Sequence, residues 1–175
     1  MIDKLVQDIM VPLEEYPCVS ETLTLRDAIM EMAVQILRNR QLSLPRVALV
    51  FDEPFGRLLG MLRRRDIMRG LEPRFLVSAS MEYRRKLFDV EVDPNLSELS
   101  HDKILAGLKR RANRLVRDYM VPIQATIGHD DHMAKAMYEM VHQNTSLLPV
   151  LKEGNVIGVV RSVDVLSEIA LLLSD

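Results

Sequence analysis

Residues 116–122, Val-Arg-Asp-Tyr-Met-Val-Pro, repeat the pattern of residues 6–12, Val-Gln-Asp-Ile-Met-Val-Pro, within a chain of 175 residues. Each copy leads, through a helical pattern and a strand, to a second shared run. These closing runs are Gly-Met-Leu-Arg-Arg-Arg-Asp at 60–66 and Gly-Val-Val-Arg-Ser-Val-Asp at 158–164. An internal repeat on this scale decides the fold before any local motif does. Two copies that close on the same glycine, arginine and aspartate predict a paired pocket, not a single catalytic centre.

The first copy contains a helix, two strands and a second, short helix. Apolar residues recur every three or four positions from Leu25 to Leu37, which predicts an amphipathic helix. Thr24 is placed as its N-cap and Asp27 as the acid of a capping box. Strands at 46–51 and 58–62 flank turn residues and predict a hairpin. A short helix at 66–70 follows, with Gly70 as its stop.

The second copy has the same order of elements. Its helix face is formed by Met133, Ala136, Met137, Met140 and Val141. Strands are predicted at 147–151 and 156–160, and a final helix from 163 toward 173. The predicted fold class is therefore α/β, with two β-α-β-β-α repeats.

A segment between the copies belongs to neither of them. Regular apolar spacing from Ile104 to Leu115, after a possible cap at Ser100, indicates a helix within it. We predict repeat 1 at 1–71, a partly helical insertion at 72–114 and repeat 2 at 115–175.

The composition is that of a soluble globular protein: 48% hydrophobic, 27% charged and a net charge of −2. This balance favours neither nucleic acid nor an anionic membrane as a partner. The longest wholly apolar run, 169–173, is too short to span a bilayer, and no signal-peptide pattern is present. Cys18, the single cysteine, cannot form an intramolecular disulfide and is expected to be a small buried side chain. We expect a cytoplasmic protein.

Two local signals suggest other functions. His-Asp-Asp-His at 129–132 has metal-ligand chemistry, but His132 aligns with Thr24 at the start of a helix. Asp130 and Asp131 are therefore expected to serve as cap and dipole partners of that helix, and no metal is expected. The basic runs at 63–65 and 109–111 lack neighbouring aromatic residues, so nucleic-acid binding is not favoured. Because serine-elbow, Walker, zincin and Cys–His motifs are absent, we predict no enzyme and no catalytic residues.

The order of elements, with Met-Val-Pro at the start and Gly-h-h-x-x-x-Asp at the end (h, apolar), resembles the CBS domain, the cystathionine β-synthase module. The likeness is closest to small stand-alone bacterial proteins with one CBS pair. It implies that two copies pack sheet to sheet with pseudo-twofold symmetry, and that two such units form a homodimer. Many members bind AMP, ADP, ATP or S-adenosylmethionine in clefts between the copies, as regulatory ligands and not as required cofactors, and signal to a partner protein.

The resemblance also implies which residues bind the nucleotide. Members usually have Thr or Ser three residues after the closing glycine, where the hydroxyl contacts phosphate, and an Asp three residues later that accepts hydrogen bonds from ribose. Asp66 and Asp164 match that acid, whereas Arg63 and Arg161 occupy the hydroxyl position and Ser162 follows one place late. Arginine can bind phosphate beside a helix N-terminus. The alternative is that each arginine pairs with the aspartate three residues later.

The adenine slot implied by the resemblance lies beside the Met-Val-Pro strands and the second strand of repeat 2. Its candidate residues are Met10, Val11, Met120, Val121, Thr145, Ser146 and Pro149. For the apolar members of this set the alternative is core packing. Two functions remain open: a sensor of an adenine nucleotide, or a ligand-free scaffold for dimerisation or docking.

Overall fold

The computed structural model describes residues 4–39, 44–52, 56–72 and 101–174. The first repeat contributes β1 (Val11–Pro12), β2 (Cys18–Ser20), α1 (Leu25–Asn39), β3 (Val47–Phe51), β4 (Leu58–Arg63) and α2 (Arg64–Leu71). Helix α3 (His101–Arg111) precedes the second repeat. That repeat contributes β5 (Val121–Pro122), β6 (Ile127–Gly128), α4 (Met133–His142), β7 (Leu147–Lys152), β8 (Asn155–Arg161) and α5 (Ser162–Leu173).

Two four-stranded sheets form the framework, and the two repeats exchange their Met-Val-Pro strands. One sheet has the order β1-β8-β7-β6 and the other β2-β3-β4-β5. Strand β1 is antiparallel to β8, with Val11 opposite Val159, and β5 is antiparallel to β4, with Val121 opposite Met61. Each repeat therefore completes the sheet of the other.

The closing glycines are required by this exchange. A Cβ atom at Gly60 would collide with the backbone carbonyl of Val121, and one at Gly158 would collide with that of Val11. Only a residue without a side chain lets the exchanged strand approach so closely. The glycine shared by the two closing runs is thus explained by strand pairing.

The hydrophobic cores follow the same exchange. Val6 is fully buried in the core of the second repeat, and Val116 is fully buried in the core of the first. A third cluster lies between the two sheets and consists of Tyr16, Val47, Leu49, Phe51, Met61, Leu147 and Val159. Since burying a large apolar side chain contributes roughly 1.5–3 kcal/mol, each repeat is stabilised by residues of the other.

Helix α1 begins as predicted. The backbone N–H of Thr24 donates to a carboxylate oxygen of Asp27 at 2.9 Å, and the backbone N–H of Asp27 donates to the Thr24 hydroxyl at 3.2 Å. These reciprocal bonds form the capping box. Leu25, Ala28 and Met32 face the core.

Gly70 does not end helix α2, which runs to Leu71. It is buried, and a Cβ atom there would meet the side chains of Leu25 and Tyr119. The carbonyls of the last turn are bound by two arginines at and just after the end of α3: Arg114 donates to Gly70 at 3.0 Å and Arg111 to Leu71 at 2.7 Å. A glycine is needed at this position because the neighbouring side chains leave no room for a Cβ atom, and not because the backbone makes a left-handed turn.

The start of helix α4 also differs from the prediction. The cap is His132, whose Nδ1 accepts a hydrogen bond from the backbone N–H of Ala134 at 3.1 Å. Asp131 instead accepts from the N–H of Gly128 and pairs with Lys135, both at 2.8 Å. Imidazole nitrogen replaces carboxylate as the cap. Among the described residues, no group of three His, Cys, Asp or Glu side chains could hold a metal ion.

Helix α3 confirms the helical part of the insertion, although Ala112 and Leu115 lie beyond its end. The proposed cap, Ser100, lies outside the described residues. Over the ranges that the structure describes, no helix is both long and apolar enough to cross a membrane.

Candidate ligand-binding cleft between the repeats

A cavity of about 410 Å³ opens where the two sheets meet. It lies at the start of β3 and β7, beside the junction between β8 and α5. The first repeat lines it with Glu15, Tyr16, Pro17, Pro45, Arg46 and Val47. The second repeat lines it with Ser146, Leu147, Arg161, Ser162, Val163 and Leu166. The cavity therefore exists only when both repeats are packed together.

An ion pair at the junction of β8 and α5 forms one wall of this cavity. The Nε of Arg161 donates to Oδ2 of Asp164 at 2.8 Å, and its Nη2 donates to Oδ1 at 2.5 Å. The backbone N–H of Arg161 also donates to Oδ2, at 2.9 Å. The hydrogen bond to Asp164 raises the pKa of the Arg161 guanidinium. The alternative considered for the sequence, an arginine paired with its own aspartate, is thus confirmed here.

The matching junction of the first repeat has the same ion pair, with a more deeply buried carboxylate and a more exposed arginine. Nε and Nη2 of Arg63 bind the two oxygens of Asp66 at 2.7 and 3.0 Å, and Arg69 approaches at 3.7 Å. The side chain of Asp66 is only 1% exposed. Burial raises the pKa of Asp66, but the bonds from Arg63 more than offset this effect, and the net pKa is lowered.

Asp66 contributes to a different, more open cavity of about 660 Å³ between α2 and α3. Arg65, Met68 and Leu108 are among the other residues of its wall. This cavity lies beside the insertion and not between the two sheets. The two closing motifs are therefore not surrounded alike.

Of the residues predicted to bind a ligand, the structure brings Ser146, Arg161 and Ser162 together at the inter-repeat cavity. Asp164 lies behind Arg161. The backbone N–H of Ser162 donates to the carbonyl of Ser146 at 2.9 Å, which joins the start of α5 to the segment before β7 within the wall of the second repeat. The residue before β7 and the first residues of α5 thus meet at one side of the cavity.

The remaining adenine-slot candidates lie elsewhere. Met10 packs against the core of the second repeat and Met120 against that of the first. Val11 and Val121 pack in the inter-sheet cluster. The Thr145 hydroxyl donates to the carbonyl of Leu147 at 2.9 Å, and Pro149 is buried opposite Val159. The structure does not place these six residues on the wall of the 410 Å³ cavity.

Sequence reasoning missed Arg46, Tyr16 and Pro17. Comparison of the two repeats could have indicated Arg46. Val47 lies opposite Arg63 in the first repeat, and Leu147 lies opposite Arg161 in the second. Arg46 therefore occupies the position in the first repeat that Ser146 occupies in the second. No pattern marked Tyr16 and Pro17, because they lie between short elements. Their contribution follows from sheet packing alone.

Tyr16 and Cys18 bring two weakly acidic groups close to the cleft. Burial raises the pKa of the Tyr16 hydroxyl, an effect that the nearby Arg161 opposes. The Cys18 thiol, which donates to the carbonyl of Tyr16 at 3.4 Å, has its pKa raised by burial to about 12. Both groups stay protonated at neutral pH, so the thiol is unreactive.

The cavity combines an apolar part with a cationic part. Pro17, Val47, Leu147 and Leu166 provide apolar walls, and Arg46 and Arg161 provide positive charge. Its volume falls within the range of about 300–1,000 Å³ usual for small-molecule sites. A ligand with a flat apolar group and an anionic group matches this lining.

Comparison with known proteins agrees with the fold. The CBS domain matches residues 6–73 and 116–171. The structure is similar to CBSX2 from Arabidopsis thaliana in complex with AMP, with a TM-score of 0.59, 16% identity and 98% of each chain covered. It is also similar to a CBS-domain protein from Kribbella flavida, with a TM-score of 0.64, 18% identity and coverage of 95% and 98%.

A third similar structure is the CBS domain of a bacterial CNNM/CorC family Mg²⁺ transporter in complex with ATP. Its TM-score is 0.59 and its identity 16%, with 97% of this chain and 89% of that chain covered. No curated protein matches the chain significantly. The two domain matches, and the two exchanged sheets that correspond to them, establish that this chain belongs to the CBS domain family as a tandem pair.

Proposed function

We propose that the chain is a regulatory CBS pair that binds an adenine nucleotide in the 410 Å³ cavity between its repeats. The observation that carries this proposal is the position of Arg161 and Ser162. They lie at the N-terminus of α5, on the wall of a cavity that also has apolar residues. The complexes of similar CBS structures with AMP and ATP support this choice of ligand. The proposal assigns no catalytic step.

The phosphate would lie against Arg161 and Arg46. Two bonds to Asp164 use only part of the donor fork of Arg161, so the remaining N–H groups are available to an anion. The first turn of α5 adds the positive end of a helix of 12 residues. The adenine would lie between Pro17, Val47, Leu147 and Leu166.

Signalling would use the surface of α4 and α5. Val163 and Leu166 line the cavity but are also 54% and 63% exposed, next to an exposed apolar face that includes Met137 and Val141. We propose that this face contacts a second copy of the chain or a partner protein. A ligand can then shift assembly only by its difference in affinity for the two states, typically about 1–3 kcal/mol.

The test is calorimetric titration with AMP, ADP, ATP and S-adenosylmethionine. We expect the nucleotides to bind, and Arg46→Ala to weaken ATP binding about tenfold because a charge-assisted contact is lost. Arg26→Ala, an exposed arginine of α1 away from the cavity, is the matched control and should leave affinity unchanged. Equal affinities of the R46A variant and the wild type would place the ligand elsewhere.

The second candidate function is a ligand-free scaffold, and one observation favours it. Both oxygens of Asp66 and of Asp164 are already bound by the chain's own arginines. Sedimentation analysis, calorimetry and thermal-shift scans with and without millimolar nucleotide separate the two functions. A stable homodimer in sedimentation, with no heat of binding and no shift in melting temperature, supports the scaffold and rejects the sensor.

A further inference from the structure

The carboxylate of Asp164 is committed to Arg161 in three ways. Its oxygens accept from the backbone N–H, from Nε and from Nη2 of that one residue. The side chain of Asp164 is only 13% exposed, compared with 31% for Arg161. A ligand that enters the cavity therefore meets the guanidinium first, with the carboxylate behind it.

Among the described lining residues, Glu15 of the first repeat is the only acidic one, and it already has an interaction of its own. The other polar groups on the wall include the neutral hydroxyls of Ser146, Ser162 and Tyr16, the last of which is close enough to Arg161 to interact with it electrostatically. A hydrogen bond to a neutral group contributes less than one to a charged group.

We propose that this cavity recognises the phosphate of its nucleotide and is indifferent to the 2′-hydroxyl of the sugar. The inference rests on the proposed nucleotide function and deepens it. The selective contacts are the unused donors of Arg161 and the charge of Arg46, both of which act on phosphate. Ribonucleotides and deoxyribonucleotides then bind alike, whereas adenosine, which lacks phosphate, binds weakly.

The experiment compares the dissociation constants of AMP and 2′-deoxy-AMP for the intact chain by calorimetry. We expect the two constants to agree within about threefold, and any ratio below about tenfold supports the proposal. A hydroxyl bound to a free carboxylate would favour AMP by about tenfold or more. A ratio of that size overturns the proposal while leaving nucleotide binding intact. Absence of binding by either nucleotide rejects the proposed function and this inference together.

A substitution tests the cause. Arg161→Thr removes the guanidinium that binds both carboxylate oxygens of Asp164. These oxygens can then accept hydrogen bonds from a ligand in the cavity. In this variant the preference for AMP over 2′-deoxy-AMP should rise at least fivefold. Arg63→Thr makes the same change at the matching junction, outside the cavity, and should leave the ratio at its wild-type value. An unchanged ratio in R161T would contradict the role given to the ion pair. If R161T does not fold, the wild-type ratio still decides.

Discussion

The junctions that close the two repeats have the same arginine–aspartate pair but different surroundings. Asp164 is 13% exposed beside an inter-repeat cavity, whereas Asp66 is 1% exposed and is also approached by Arg69. Helix α2 is further bound by Arg111 and Arg114, which lie at the end of α3 and just after it. Duplication therefore preserves the local ion pair, and the neighbouring elements decide whether it can face a ligand.

The largest expected effect comes from removing each acid. Asp66→Ala should lower the free energy of unfolding by about 3 kcal/mol, because it removes a helix cap, the charge-assisted bonds that a buried carboxylate makes to Arg63 and its ion pair with Arg69. Asp164→Ala should cost about 1.5 kcal/mol, since the carboxylate of Asp164 is more exposed to water and has a single arginine partner. Urea denaturation measures both values. Equal losses would show that the two junctions are energetically the same despite their different burial.

Strand exchange predicts the next largest effect, and here the repeats should behave alike. Gly60→Ala and Gly158→Ala should each destabilise the protein by about 2 kcal/mol, because the new methyl group meets a carbonyl of the exchanged strand. Gly107→Ala in α3 is the comparison, since its methyl group would meet the guanidinium of Arg111 and not a backbone carbonyl. Because that guanidinium also binds the carbonyl of Leu71, a loss smaller than that of G60A or G158A, about 1 kcal/mol, is expected in urea unfolding. A neutral G158A variant would refute the close approach.

A smaller effect should appear as a dependence of stability on pH. The pKa of Asp66 is lower in the folded protein than in the unfolded chain, so its contribution is complete above the unfolded value of about 4. That contribution is lost as pH falls through the folded pKa. Asp66→Asn should therefore flatten the decline below about pH 4. The residual slope should come from groups such as Asp27 and Asp131, whose pKa values are also lowered. An unchanged slope in D66N would contradict this account.

Most of the fold was predictable because its signals are local and repeated. The helical spacing placed α1 and α4, and the Thr24 capping box appears as the sequence indicates. The exchange of β1 and β5 was not predictable, since strands of two residues carry no register information. Gly70 was misread because tertiary packing requires it, and Asp130 and Asp131 were misread because the imidazole of His132 caps α4.

Only part of the candidate site followed from the sequence. Arg161, Ser162 and Ser146 came from motif positions and lie together. Tyr16 and Arg46 come from the other repeat and reach the cavity only through sheet packing. Met10 and Met120, chosen by resemblance, pack against the cores instead. A site between two bodies is determined by their packing, which a one-dimensional pattern does not encode.

Strand exchange also constrains how the chain is made. Val11 is synthesised 148 residues before its partner Val159, since 159 − 11 = 148. At roughly 5–20 residues per second, the first strand waits on the order of ten seconds for a place in a sheet. The first repeat therefore emerges with an incomplete sheet and an unburied Val6. A nascent chain stalled after the first repeat should bind chaperones more strongly than a chain that contains both repeats.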